Sequence, residues 1–104
     1  MTTTNLARFA DFTALGASGR PEDIDQLMHA LLAQDDIATS KLVDFALGLV
    51  NTREGAERLQ HYLFHGAPVQ RNFAALHFKR KGVVHLLDEA VAQGKIDHEQ
   101  AYAK

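Results

Sequence analysis

Residues 68–82, Pro68-Val69-Gln70-Arg71-Asn72-Phe73-Ala74-Ala75-Leu76-His77-Phe78-Lys79-Arg80-Lys81-Gly82, decide the fold class of this chain. Proline stands where a helix begins, because its missing N–H is not needed in the first turn. Lys79, Arg80 and Lys81 fill the last turn, where cations suit the helix dipole, and Gly82 is the residue type that stops a helix. On a helical wheel Val69, Phe73 and Leu76 form one apolar stripe, and Ala74, Ala75 and Phe78 form another on the opposite side. A helix apolar on two sides has neighbours on both. The segment therefore predicts a central helix of an all-α domain, with Phe73, Leu76 and Phe78 buried.

The flanking sequence repeats this grammar. Residues 5–17 read as a first helix capped by Thr4 or Asn5, with Leu6, Phe9, Ala10, Thr13 and Ala14 on one face. Ala17-Ser18-Gly19-Arg20 breaks it. Pro21 opens a second helix with Glu22 and Asp23 in its first turn and Ile24, Leu27, Met28, Leu31 and Leu32 facing inward. Asp35-Asp36 is a turn that caps a third helix, about residues 36–50. Its inward face is Leu42, Val43, Ala46, Leu47, Leu49 and Val50, with Phe45 at the edge and Ser40, Lys41, Asp44 and Gly48 outside. Asn51 and Glu54 have the spacing of a capping box for a fourth helix, with Ala56, Leu59 and Leu63 inward and Gly66 as its stop. After Gly82 a sixth helix covers about 83–93, carried by Val83, Leu86, Leu87, Ala90 and Val91, and Gly94 ends it. Asp97 and Gln100 form a second capping box, for a short last helix. No alternating strand pattern or hairpin dipeptide interrupts the series.

The apolar positions also recur. Ile24, Leu27, Leu31 and Ile37 align with Ala56, Leu59, Leu63 and Val69 at an offset of 32. The reading is six to seven short helices in one domain, 1–104, stacked as antiparallel hairpins 21–50, 52–81 and 83–104 with the first helix as a cap. Arg71, Ala74-Ala75 and Gly82, followed by Leu86-Leu87, resemble the second helix and following turn of a HEAT repeat. That resemblance implies a short helical solenoid whose usual role is scaffolding or protein binding.

Composition narrows the function. The 104 residues are 46% hydrophobic and 23% charged, which suits one globular domain able to bury its own core. The absence of cysteine excludes disulfides and thiolate metal sites. No apolar run reaches the roughly 20 residues of a membrane span, and residues 1–12 lack the parts of a signal peptide. A soluble cytoplasmic protein is expected. A net charge of −2 argues against general nucleic-acid binding. Its distribution is uneven. Asp11, Glu22, Asp23, Asp25, Asp35, Asp36 and Asp44 outnumber Arg8, Arg20 and Lys41 in residues 1–50. Arg53, Arg58, Arg71, Lys79, Arg80 and Lys81 outnumber Glu54 and Glu57 in residues 53–81. Complementary charge of this kind serves docking, to a protein partner or to another copy.

Three constellations carry candidate chemistry. Glu57, His61 and His65 share one helix face at spacings of four, so His61 and His65 could hold a metal if a third ligand joined them. No HExxH or paired ExxH signature accompanies them, and no specific metal is expected. Arg71 with Lys79, Arg80 and Lys81 could bind phosphate or nucleic acid, although no aromatic ladder interleaves with them. Their structural reading is helix-end complementation for the lysines and, for Arg71, a packed stem with its head on a carboxylate. Tyr62 and Phe64 flank the apolar stripe of the fourth helix and would anchor a partner if exposed. No nucleophile motif, phosphate loop or cofactor fingerprint is present. The expectation is a non-catalytic protein-binding or adaptor module, without cofactor, that contacts its partner through Tyr62, Phe64, Arg71, Lys79, Arg80 and Lys81.

Overall fold

Proline and glycine bracket the central helix as their backbone chemistry requires. A computed structural model describes the backbone of residues 2–34 and 36–103 and, from Arg8 onward, their side chains. Seven helices and no strand occur among them: α1 (Thr2–Ser18), α2 (Pro21–Ala33), α3 (Ile37–Gly48), α4 (Arg53–His65), α5 (Pro68–Lys81), α6 (Val84–Ala92) and α7 (His98–Tyr102). The fold is all-α. Their contacts group into two compact units, residues 1–58 and 59–104, with the division inside α4.

In the first unit α1, α2 and α3 pack on one another. Arg8 of α1 donates to Thr39 Oγ1 near the start of α3, and Gly16 near the end of α1 lies against Ala46 near the end of α3. These two helices therefore run the same way, with α2 reversed between them in sequence. Ile24, Leu27, Met28, Leu31, Val43, Ala46, Leu47 and Val50 are the buried apolar residues. Gly16 allows the α1–α3 approach: a Cβ there would stand 2.0 Å from the Ala46 carbonyl oxygen.

The turns of this unit are tied together. Gly19 takes a left-handed conformation (φ 65°) between α1 and α2. Thr52 Oγ1 donates to the Gly19 carbonyl at 2.5 Å and accepts from the Gly55 N–H at 3.0 Å. The cap of α4 is thus Thr52, not Asn51, which is exposed. Asparagine is the better cap in isolation, and the bond to Gly19 favours the threonine here. Asp23 is buried in the first turn of α2, where its carboxylate accepts from Ser18 Oγ at 2.5 Å and from Arg20 at 3.2 Å. Those bonds, the serine's first, hold its carboxyl below the usual carboxylate range despite burial. Asp36 caps α3 by accepting from Thr39 N at 2.6 Å, and that backbone bond lowers its pKa in the same way. A bidentate Arg58–Asp25 pair joins α4 to α2.

In the second unit α5 packs on α6 and α7, which also touch each other. Gly82 (φ 74°) and Gly94 (φ 72°) end α5 and α6 in the same way. The N–H after each glycine reaches back to the last turn, Val83 to Phe78 O and Lys95 to Ala90 O. Asp97 and Gln100 make both halves of the expected capping box of α7. At α5, Ala67 N–H donates to Gln70 Oε1 at 2.9 Å, which explains a glutamine among the buried residues.

Several sequence expectations need correction. α1 begins at Thr2, so Thr4 and Asn5 lie within the helix rather than at its cap. The side chains of Thr4, Asn5 and Leu6, and Asp35 altogether, fall outside the described residues. Of the apolar residues on the two α5 stripes, Phe78, Ala74 and Ala75 are buried, while Val69, Phe73 and Leu76 are half-buried. Periodicity identifies residues that share a side but not how fully a neighbour covers them. Leu32, Leu49 and Phe9 are exposed where inward positions were expected, and Phe45 is exposed as well. No described helix is long and apolar enough to cross a membrane.

Candidate functional site

In the basic segment Arg71 and Lys79 bond to backbone carbonyls, and Arg80 and Lys81 stand at the end of the helix. Arg71 meets no carboxylate among the described residues. Its Nε donates to the Lys95 carbonyl at 2.8 Å and its Nη1 to the Gly66 carbonyl at 2.9 Å, so it staples the start of α5 to the turn after α6. Two carbonyls at chain turns have spare lone pairs, and a planar fork satisfies both at once. Lys79 Nζ donates to the Ala103 carbonyl at 2.6 Å and is half-buried. Arg80 and Lys81 are exposed at the end of the helix. Asn72 Oδ1 accepts from Gln100, and Tyr102 OH donates to Asp88 Oδ1, so α5, α6 and α7 are cross-linked around these residues. The Asp88 bond pushes the Tyr102 phenol above its ordinary value, because it stabilises the protonated form.

On α4, Tyr62 and Phe64 are half-buried, and neither stands open as a free anchor. Glu57, His61 and His65 are all exposed, with the two imidazole rings 5.3 Å apart between centroids. His61 also meets the edge of Tyr62 at 5.6 Å. His77 is buried, with its ring at a right angle to Phe78, whereas His85 is exposed. No group of three metal-ligating side chains occurs among the described residues.

A different surface stands out in the first unit. Phe9 of α1 and Phe45 of α3 lie with ring centroids 5.5 Å apart, and they are 44% and 51% exposed. On the same two helices Ala10, Ala17 and Ala38 are exposed, as is Leu49 at the end of α3, and Thr13 and Leu42 are half-buried. The Thr13 hydroxyl donates to Ala10 O within its own helix. Arg8 also bridges α1 and α3, and Lys41 is exposed on α3. Residues 1–58 carry nine acids against five bases, whereas residues 59–104 carry six bases against four acids. Two half-exposed aromatic rings together are uncommon where nothing covers them.

Of the residues named from sequence, Arg71 and Lys79 bond to backbone carbonyls, Arg80 and Lys81 are exposed, and Tyr62 and Phe64 are half-buried; the Phe9–Phe45 pair lies outside that set. Two signals for it exist in the sequence. α1 carries only Arg8 and Asp11 as charges over Thr2–Ser18. The third helix has more apolar positions than one core contact can use, and the surplus must face elsewhere. Compared with protein-family models, with curated proteins and with solved structures, the chain matches none of them.

Proposed function

We propose that this chain is a non-catalytic helical protein-binding or adaptor module whose contact surface is the α1–α3 seam. The observation that carries the reading is the exposed Phe9–Phe45 pair, with Leu49 exposed as well at the end of α3. Aromatic side chains held by neighbouring helices lose little entropy on docking and so make strong anchors. Arg80 and Lys81 fit a lesser role: exposed charge that speeds encounter with an acidic partner and adds little to affinity. The HEAT-like reading belongs to the same proposal. It is supported by buried Ala74 and Ala75, by the left-handed Gly82 and by an arginine with a structural task beside them.

The test is affinity capture by the full chain from its native cell extract. A protein recovered in stoichiometric amount by the wild type and by a Lys79, Arg80, Lys81→Gln triple variant, but lost with Phe45→Glu, supports the proposal. Recovery that does not differ between wild type and Phe45→Glu sinks it. Capture of random-sequence RNA or DNA at physiological salt, lost in the triple variant, would replace it with a nucleic-acid-binding reading.

A further inference from the structure

We propose that His61 and His65 form a two-imidazole site on α4 for one divalent transition-metal ion of the zinc type. The site is separate from the Phe9–Phe45 surface and does not depend on it.

Spacing is the first argument. The two residues are one turn apart at the end of α4, so their side chains share a face. Their ring centroids lie 5.3 Å apart, with the planes tilted by 43°. An ion about 2.0–2.1 Å from an imidazole nitrogen lies about 3.2 Å from the centre of that ring. Two such arms at a tetrahedral angle hold the ring centres roughly 5.2 Å apart. The pair already stands at the separation that a tetrahedral ion needs.

The setting is the second. Both histidines are exposed, so an ion reaches them from solvent and each ring can turn a nitrogen toward it without moving the core. His65 is the basic residue in the last turn of α4, where the negative end of the helix dipole favours a cation. Imidazole suits zinc, copper and nickel, and the tetrahedral separation favours zinc among them. No third protein ligand joins the pair among the described residues, which leaves two positions of the ion to water. HExxH and paired ExxH signatures belong to centres with more protein ligands, so their absence does not bear on a two-ligand site. With half the ligands of a structural zinc site, the dissociation constant should be on the order of 1–100 µM.

Titration calorimetry of the tag-free full chain with zinc chloride reads the site directly. The wild type should bind one ion in that range. His61→Ala and His65→Ala should each weaken binding about tenfold or more, because a single imidazole remains. His85→Ala removes an exposed histidine of α6 and should leave binding unchanged. Proton spectra should show the ring signals of His61 and His65 shifting together as zinc is added, and circular dichroism checks that each variant stays helical. No binding below roughly 1 mM, or binding that either α4 variant leaves intact, overturns the proposal. So does an equal loss with His85→Ala, which would show scattered binding by surface histidines rather than one site.

Discussion

Replacing Gly16 by alanine adds one methyl group where the structure has no room for it. Built on the observed backbone, that carbon would lie 2.0 Å from the carbonyl oxygen of Ala46, 2.6 Å from its carbon and 3.0 Å from its Cα. A carbon approaches a carbonyl oxygen no closer than about 3.3 Å, so α1 and α3 must part by roughly 1.3 Å. The obstacle is backbone, which cannot rotate away as a side chain can. Parting the helices loosens the Arg8–Thr39 hydrogen bond and the Phe9–Phe45 contact on the same seam. Overpacking of this kind typically costs about 1–3 kcal/mol, and a clash with backbone belongs at the upper end. Alanine returns up to about 1 kcal/mol through its better helix propensity. The net expectation is a loss of about 2 kcal/mol. Gly48 supplies the control. It is also helical, but nothing lies within 4 Å of its added carbon, so Gly48→Ala should gain about 0.4–1 kcal/mol. Urea titration followed by far-ultraviolet circular dichroism should move the two midpoints in opposite directions, by about 1 M downward for Gly16→Ala. A Gly16→Ala chain as stable as the wild type would show that α1 does not cross α3 at this glycine.

Other outcomes follow from single side chains. Phe78→Ala should cost about 3–5 kcal/mol, because a buried ring leaves a cavity, and half-buried Phe73→Ala should cost clearly less; equal losses in urea titration would contradict the burial described. Asp23 ionises more readily in the folded chain, so its contribution is complete above the ordinary carboxylate range and is lost as pH falls below about 4; melting temperature against pH should be flatter in Asp23→Asn. Tyr102 has the opposite sign: its raised pKa favours the fold below about pH 10, the benefit goes as pH rises further, and Tyr102→Phe should remove that alkaline loss.

Legibility in the sequence tracked the range of the interaction involved. The ends of α5 were readable because Pro68 and Gly82 act through their own backbones, and the Asp97–Gln100 box because it closes within one turn. The cap of α4 was misread by one residue because the deciding bond, Thr52 to Gly19, spans 33 positions. The sequence points the Arg71 head to a carboxylate, but its acceptors are carbonyls in turns that lie apart in sequence. The candidate surface was hardest. Phe9 and Phe45 are ordinary core residue types, and only the packing of α1 on α3 shows that the core closes beneath them. Gly16 gave no local sign either, since a glycine within a helix pattern looks like a weakness until the neighbouring carbonyl is seen.

The junction of Gly19, Thr52 and Gly55 has a consequence for descent. A side chain at position 19 would meet Thr52 within 2.6 Å, and one at position 55 would meet Gly19 O and Val50 at 2.7 Å. The left-handed turn at Gly19 further discourages any replacement there. The three residues can therefore drift only together, and single changes are selected against even where function is indifferent. Chains that diverged from this one beyond recognisable identity, but kept its first three helices, should retain glycine at the first turn, then threonine 33 positions later and glycine three beyond that. A glycine three positions before the first of these, at the α1–α3 crossing, completes a four-residue fingerprint by which such lineages can be tested.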